Sequence, residues 1–177
     1  METILGSFEA RKANTWSGDI LYSMVVSTER LVGVRIGGQF AVEGGGQAVL
    51  VHLGLIGVLI NALMRKGVEK KRLAARQQLE QSSLDELLHR HPKNFELRHA
   101  SLDRVEIKRL RFTMHGPAVA KLVLDRAGEK QLELQIVSVA LLAESVKVLR
   151  AALHDRVILD PALALTLEAQ DRKSRVA

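Results

Sequence analysis

The sequence predicts an α+β fold in which two groups of antiparallel strands flank a helical stretch and a further helix closes the domain. Two observations carry this. Apolar residues alternate with a period of two in the first forty residues and again between Asn94 and Val137, which is the pattern of half-buried strands. Between Gln47 and Gln81, and again from Ser138 to Leu153, the period lengthens to that of a helix. At 177 residues the chain fits one domain with extra elements and can bury a core. That core is aliphatic: hydrophobic residues make up 47% of the chain and aromatic ones only 3%, so Leu, Val, Ile and Ala do most of the packing.

The elements follow in order. ILGSFEAR, DILYSMVVST and RLVGVRI read as three strands, the last two joined by the polar turn Ser27-Thr28-Glu29-Arg30. Between the first two, the loop Ala13-Asn14-Thr15-Trp16-Ser17-Gly18 holds the only tryptophan, expected to pack over an edge of the core. Gly37-Gly38 and Gly44-Gly45-Gly46 serve as linkers into the middle segment. Gln47 to Gln81 contains no Pro and three Gly, so it forms one long helix or two with a bend near Gly67. Ser83 and Glu86 have the spacing of a capping box, opening a short helix that must stop before Pro92. NFELRHASL, RVEIKRLRFTM, AKLVLDRAG and EKQLELQIV then give an antiparallel sheet with a hairpin turn at Ala127-Gly128-Glu129. In the following helix Leu142, Val146, Leu149 and Leu153 share the buried face, with Lys147 and Arg150 turned outward. The tail from Asp155 reads two ways: Asp160-Pro161 is a helix start, while ALALTL also suits a strand; DRKSRVA is expected to fray.

LYSMVVSTERLVGV resembles the strand, polar turn, Arg-Leu, strand signature of bacterial and archaeal pleckstrin-homology-like (PH-like, GRAM-related) domains. NFELRHASLDRVEIKRLRF followed by LVLDRAGEKQLELQI is similar to the second half of those domains. Some members also carry a Gly-rich hydrophobic insertion, a basic helix and an SLDELL-like segment before the second sheet, as this chain does. The resemblance covers most of residues 3 to 153 and implies a pair of antiparallel sheets capped by the C-terminal helix, used for binding lipids, proteins or further copies rather than for catalysis. The domain so defined runs over residues 1–154, interrupted by a helical insertion at 44–92, with 155–177 as a C-terminal extension.

Motifs for chemistry are sparse. The Gly clusters precede no Lys-Ser/Thr pair and give no dinucleotide fingerprint, so no cofactor is expected. His89, His91 and His99 form the nearest histidine group, but residues two apart diverge on a helix, so they read as a surface cluster near Pro92 rather than metal ligands. Asp103 and Glu106 fall on opposite faces of a strand. An enzyme is therefore not expected. With no cysteine, a reducing compartment fits, and METILGSFEARK lacks the layout of a secretory signal; the expected location is the cytoplasm, with peripheral attachment at the inner face of the plasma membrane.

Most of the net charge of +6 is local: between Arg65 and Glu80 six basic residues face two acidic ones, a surplus of +4. Just before them, Ala48–Met64 is uncharged and, as a helix, about 26 Å long against a hydrocarbon core of about 30 Å. A single crossing would nevertheless separate two halves that must meet in one domain. On a helical projection Gly54, Gly57 and Asn61 line a small, polar stripe suited to contact with another helix, while Val49, His52, Ile56, Leu59, Ile60 and Leu63 fill the opposite, bulky face. Arg65, Lys66, Lys70, Lys71 and Arg72 are placed to meet an anionic surface. The expected function is a non-catalytic module that self-associates, attaches to an anionic membrane, or both, through this insertion. The alternative is a scaffold that binds a protein partner through a sheet edge or the C-terminal helix. Nucleic acid is disfavoured, because the basic stretch has no interleaved aromatics.

Overall fold

The structure, a computed structural model, describes residues 2–13, 19–37, 83–110 and 118–176, with side chains through Arg172. It is α+β. The elements are β1 (Ile4–Lys12), β2 (Ile20–Ser27), β3 (Arg30–Gly37), α1 (Leu84–His89), β4 (Phe95–Arg98), β5 (Leu102–Arg109), β6 (Ala120–Arg126), β7 (Leu132–Ile136), α2 (Val139–Leu153), β8 (Val157–Leu159) and α3 (Pro161–Val176). Short 3-10 turns at His99–Ser101 and His154–Arg156 lead into β5 and β8.

The strands form one sheet in the order β4-β3-β2-β1-β7-β6-β5-β8. All neighbours are antiparallel except β5 and β8, which run parallel from Val105↔Val157 to Ile107↔Leu159. The expected grouping is three strands before the middle segment and four after it. All seven form, but β4, the first of the second group, pairs with β3 from Arg30↔Arg98 to Gly33↔Phe95. β1 to β4 and β5 to β7 are thus two halves of one sheet and not two separate sheets. They join where β1 meets β7, through the single ladder pair Arg11↔Gln135. The tail, open between helix and strand in the sequence, does both in turn: Val157–Leu159 adds an edge strand, and the chain from Pro161 is helical through Val176, including the segment expected to fray.

Alternation decides which side chains make the core. Phe8 and Ala10 of β1, Tyr22, Met24 and Val26 of β2, Val105 and Ile107 of β5, Leu122 and Leu124 of β6, and Leu134 and Ile136 of β7 all point to one face. α2 covers that face with Leu142, Val146, Leu149 and Leu153, the four positions its sequence period selects. Ser138 caps this helix by accepting the Leu141 N–H at 3.2 Å. Two glycines permit the closest approaches. A Cβ on Gly6, whose φ is +154° at a bulge in β1, would lie 2.8 Å from Val148 on α2. One on Gly33 would lie 2.3 Å from the Phe95 ring, which packs edge-on against Tyr22 at 5.1 Å between centroids.

The opposite face of the sheet is divided. Over β5 to β7 it is ionic: Glu106 is held between Arg104 at 3.2 Å and Lys108, and Lys121 pairs with Glu133 at 3.1 Å. Over β2 and β3 it is apolar. Val25, Val32 and Val34 form a second, smaller cluster under Leu84 and Leu87 of α1.

Candidate functional site

The residues the sequence singles out for contact, Gly54, Gly57 and Asn61 of the small stripe and Arg65, Lys66, Lys70, Lys71 and Arg72 of the basic stretch, lie outside the described residues, as does Trp16. The structure describes the residues on either side of 38–82, including the last part, 83–92, of the expected insertion 44–92. Departure is at Gly37, the end of β3, where it pairs with Leu21 of β2. Return is at Ser83, the N-cap of α1.

α1 is only six residues long, too short to be stable by itself, and three devices hold it. The first is the capping box: Glu86 N–H donates to Ser83 Oγ at 3.3 Å, and Ser83 N–H donates to the Glu86 carboxylate at 3.2 Å. The second is burial of Leu84 and Leu87 against the valines of β2 and β3. The third is Asn94, which donates to the Leu87 carbonyl at 2.6 Å and accepts from the Arg35 N–H at 2.9 Å, tying the far end of α1 to β3.

Arg30 fixes the near end. Its guanidinium donates twice to Glu2, at 2.9 Å each, once to Glu96 at 3.0 Å, and forms an ion pair with Asp85 at 2.8 Å. One side chain thus links the N-terminal segment, β3, β4 and the first turn of α1. Its hydrogen bonds to Glu2 push the Arg30 pKa up and hold the Glu2 carboxyl below its ordinary range. Ser27 completes the corner: its hydroxyl accepts from the Glu29 and Arg30 N–H groups at 3.2 and 3.0 Å, closing the β2–β3 turn.

A second polar centre lies where the two strand groups meet. Arg11 is fully buried at 0% exposure. Its Nε donates to Gln135 Oε1 at 3.0 Å, and its Nη1 lies 3.6 Å from Asp19. Burial lowers the Arg11 pKa, and Asp19 opposes that shift. Beside this junction an open groove of about 560 Å³ brings Lys12 together with Arg126 and Lys130 of the β6–β7 hairpin. Glu129, paired with Arg126, and Glu133, on the groove wall, offset that charge. Sequence reading did not find this group, since Lys12 is remote from the hairpin along the chain and the positive charge was traced to residues 65–80.

Of the expected surface cluster His89 is exposed and His91 half-buried near Pro92, but His99 is not part of it. His91 Nε2 lies 2.7 Å from the Arg35 guanidinium, while His99 is 7% exposed with its Nε2 unpartnered. The 3-10 turn after β4 folds the His99 ring inward, and Arg156 reaches back to the His99 and Leu102 carbonyls at 2.6 and 2.9 Å. Burial, with Arg156 nearby, lowers the His99 pKa below 6.5. Among the described residues no group of three His, Asp or Glu is arranged to hold a metal ion, and no helix is long and apolar enough to cross a membrane. Comparison of the chain with protein families, characterised proteins and solved structures finds no match.

Proposed function

We propose that the chain is a non-catalytic binding and assembly module of PH-like design, which self-associates through the insertion after β3 and is oriented toward an anionic membrane surface by Arg65, Lys66, Lys70, Lys71 and Arg72. The PH-like reading draws support from two strand groups, β1 to β4 and β5 to β7, closed by α2. The observation that carries the functional reading is the mount. Both ends of residues 38–82 are tied to one strand, at Gly37 and through α1, by a capping box, an apolar cluster and the Arg30 ion pairs. A rigid support at both ends suits a segment that presents contacts rather than one that links independent domains.

Within the insertion the Gly54, Gly57 and Asn61 stripe lets a second helix approach closely, with Asn61 as a hydrogen-bonding partner. Each basic residue near an anionic surface contributes about 1 kcal/mol. Co-sedimentation with vesicles containing anionic lipid tests the membrane arm. Binding is expected at low salt and should weaken as salt screens the headgroups; absence of binding at every salt concentration removes that arm.

A second reading has an observation of its own. Ile158 on the edge strand β8 and Leu165 on α3 are 47% and 67% exposed, so a scaffold role through the C-terminal end is the alternative. Leu165→Glu distinguishes the two, because it removes partner binding at α3 and leaves self-association through the insertion intact.

A further inference from the structure

β8 and α3 are held to the domain by few contacts. From Val157 to Arg172 only Val157 and Leu163 are buried, and the strand pairs with β5 from Val105↔Val157 to Ile107↔Leu159. The chain leaves α2 at His154, whose φ is +50°, the only positive value at a non-glycine residue among those described. A side chain rarely adopts that conformation, so it persists only while surrounding contacts hold it.

Two residues on, Arg156 supplies such contacts. Its Nη1 donates to the His99 and Leu102 carbonyls at 2.6 and 2.9 Å, tying the turn before β8 to the turn before β5. The accepting turn is itself anchored, because the His99 N–H donates to the Glu29 carbonyl at 2.9 Å.

The His99 ring lies inside this joint, 7% exposed and with no partner for Nε2. Arg156 faces it from the turn before β8, Glu2 from the N-terminal segment, and the Thr28 backbone contacts it from the β2–β3 turn. Arg98, next to it in the chain, is turned to Glu96 at 3.1 Å. Arg156 acts on the ring more strongly than Glu2, which is engaged by Arg30 through two hydrogen bonds. A proton added at Nε2 therefore creates a buried N–H without an acceptor and a positive charge beside a guanidinium. Both are relieved when the turn carrying His99 moves, and the carbonyl that Arg156 holds moves with it.

We propose that β8 and α3 form a pH-gated arm, hinged at His154, latched by Arg156 onto the turn that carries His99, and released when His99 takes up a proton. Release uncovers Val157 and Leu163 and frees the edge of β5 that β8 covers. Burial and Arg156 hold the His99 pKa below 6.5, so the closed arm is favoured above that value and weakens as pH falls below it. The arm is independent of the insertion and of any membrane.

Amide hydrogen exchange of the full chain at about pH 7.5 and about pH 5.5, corrected for the intrinsic pH dependence of exchange, reads the arm directly. At the lower pH the amides of residues 157–167 are expected to exchange roughly tenfold faster or more, while Leu142 to Leu149 of α2 remain the slower segment. Arg156→Gln should leave the arm open at both pH values, and His99→Gln should abolish the pH response. His154→Gly, which accommodates the positive φ and removes the histidine of the hinge, should retain it. Arm and α2 exchanging together, arm exchange equal at the two pH values, or a response that survives in His99→Gln or disappears in His154→Gly would overturn the proposal. Should His99→Gln not fold, an NMR titration of the wild-type chain decides: the arm amides and the His99 ring must share one midpoint, and separate midpoints overturn the latch.

Discussion

Arg30 and Arg11 are both rich in partners, but they hold different parts of the fold. Arg30 joins Glu2, Asp85 and Glu96 at one corner, whereas Arg11 sits without solvent contact at the only ladder pair joining β1 to β7. Removing a buried, hydrogen-bonded cation strips Gln135 and Asp19 of a partner, so Arg11→Ala should lower stability by roughly 2–4 kcal/mol, measured by urea unfolding. Gly33→Ala forces the Phe95 ring aside and should cost about 1–3 kcal/mol by overpacking. His99 gives a signature in pH. Its folded pKa lies below its unfolded value of 6.5, so the unfolded chain binds the proton more readily and stability falls as pH drops through and below that value. Urea midpoints between pH 7.5 and 5.5 should show this decline, and His99→Gln should flatten it. None of these roles was legible in the sequence, because the carboxylates around Arg30 are scattered along the chain and the burial of His99 depends on a single 3-10 turn.

Elements whose signals are local were legible. The capping box at Ser83 and Glu86 and the stop before Pro92 define α1 from neighbouring residues alone, and Leu142, Val146, Leu149 and Leu153 select the buried side of α2 by spacing. The C-terminal tail was harder, because β8 exists only by pairing with β5, a contact that local pattern cannot specify, and α3 begins where Asp160 caps it, accepting the Ala162 N–H at 2.8 Å. The joining of the two strand groups was hidden for the same reason: one ladder pair leaves no periodic trace. At this scale, Ser83→Ala should cost about 1 kcal/mol. Its effect should be confined to α1, with faster amide exchange from Leu84 to His89 and unchanged protection in α2; equal loss of protection in both helices would mean that α1 is not an independent clamp.

For the whole molecule, one sheet face and α2 form a continuous core, while the other face is ionic over β5 to β7 and apolar over β2 and β3. The residues proposed for contact lie outside the described residues and are read from the sequence alone, as a helical projection with a small side, a bulky side and a basic continuation. Self-association through the small side is the central claim, and the mass of the full chain in solution tests it most directly. Light scattering on the wild-type protein in plain buffer should give a defined oligomer, and Gly57→Leu, which puts a bulky side chain in the contact stripe, should shift it toward the monomer. A wild-type monomer at every concentration, or an oligomer that Gly54→Leu and Gly57→Leu both leave intact, would contradict it.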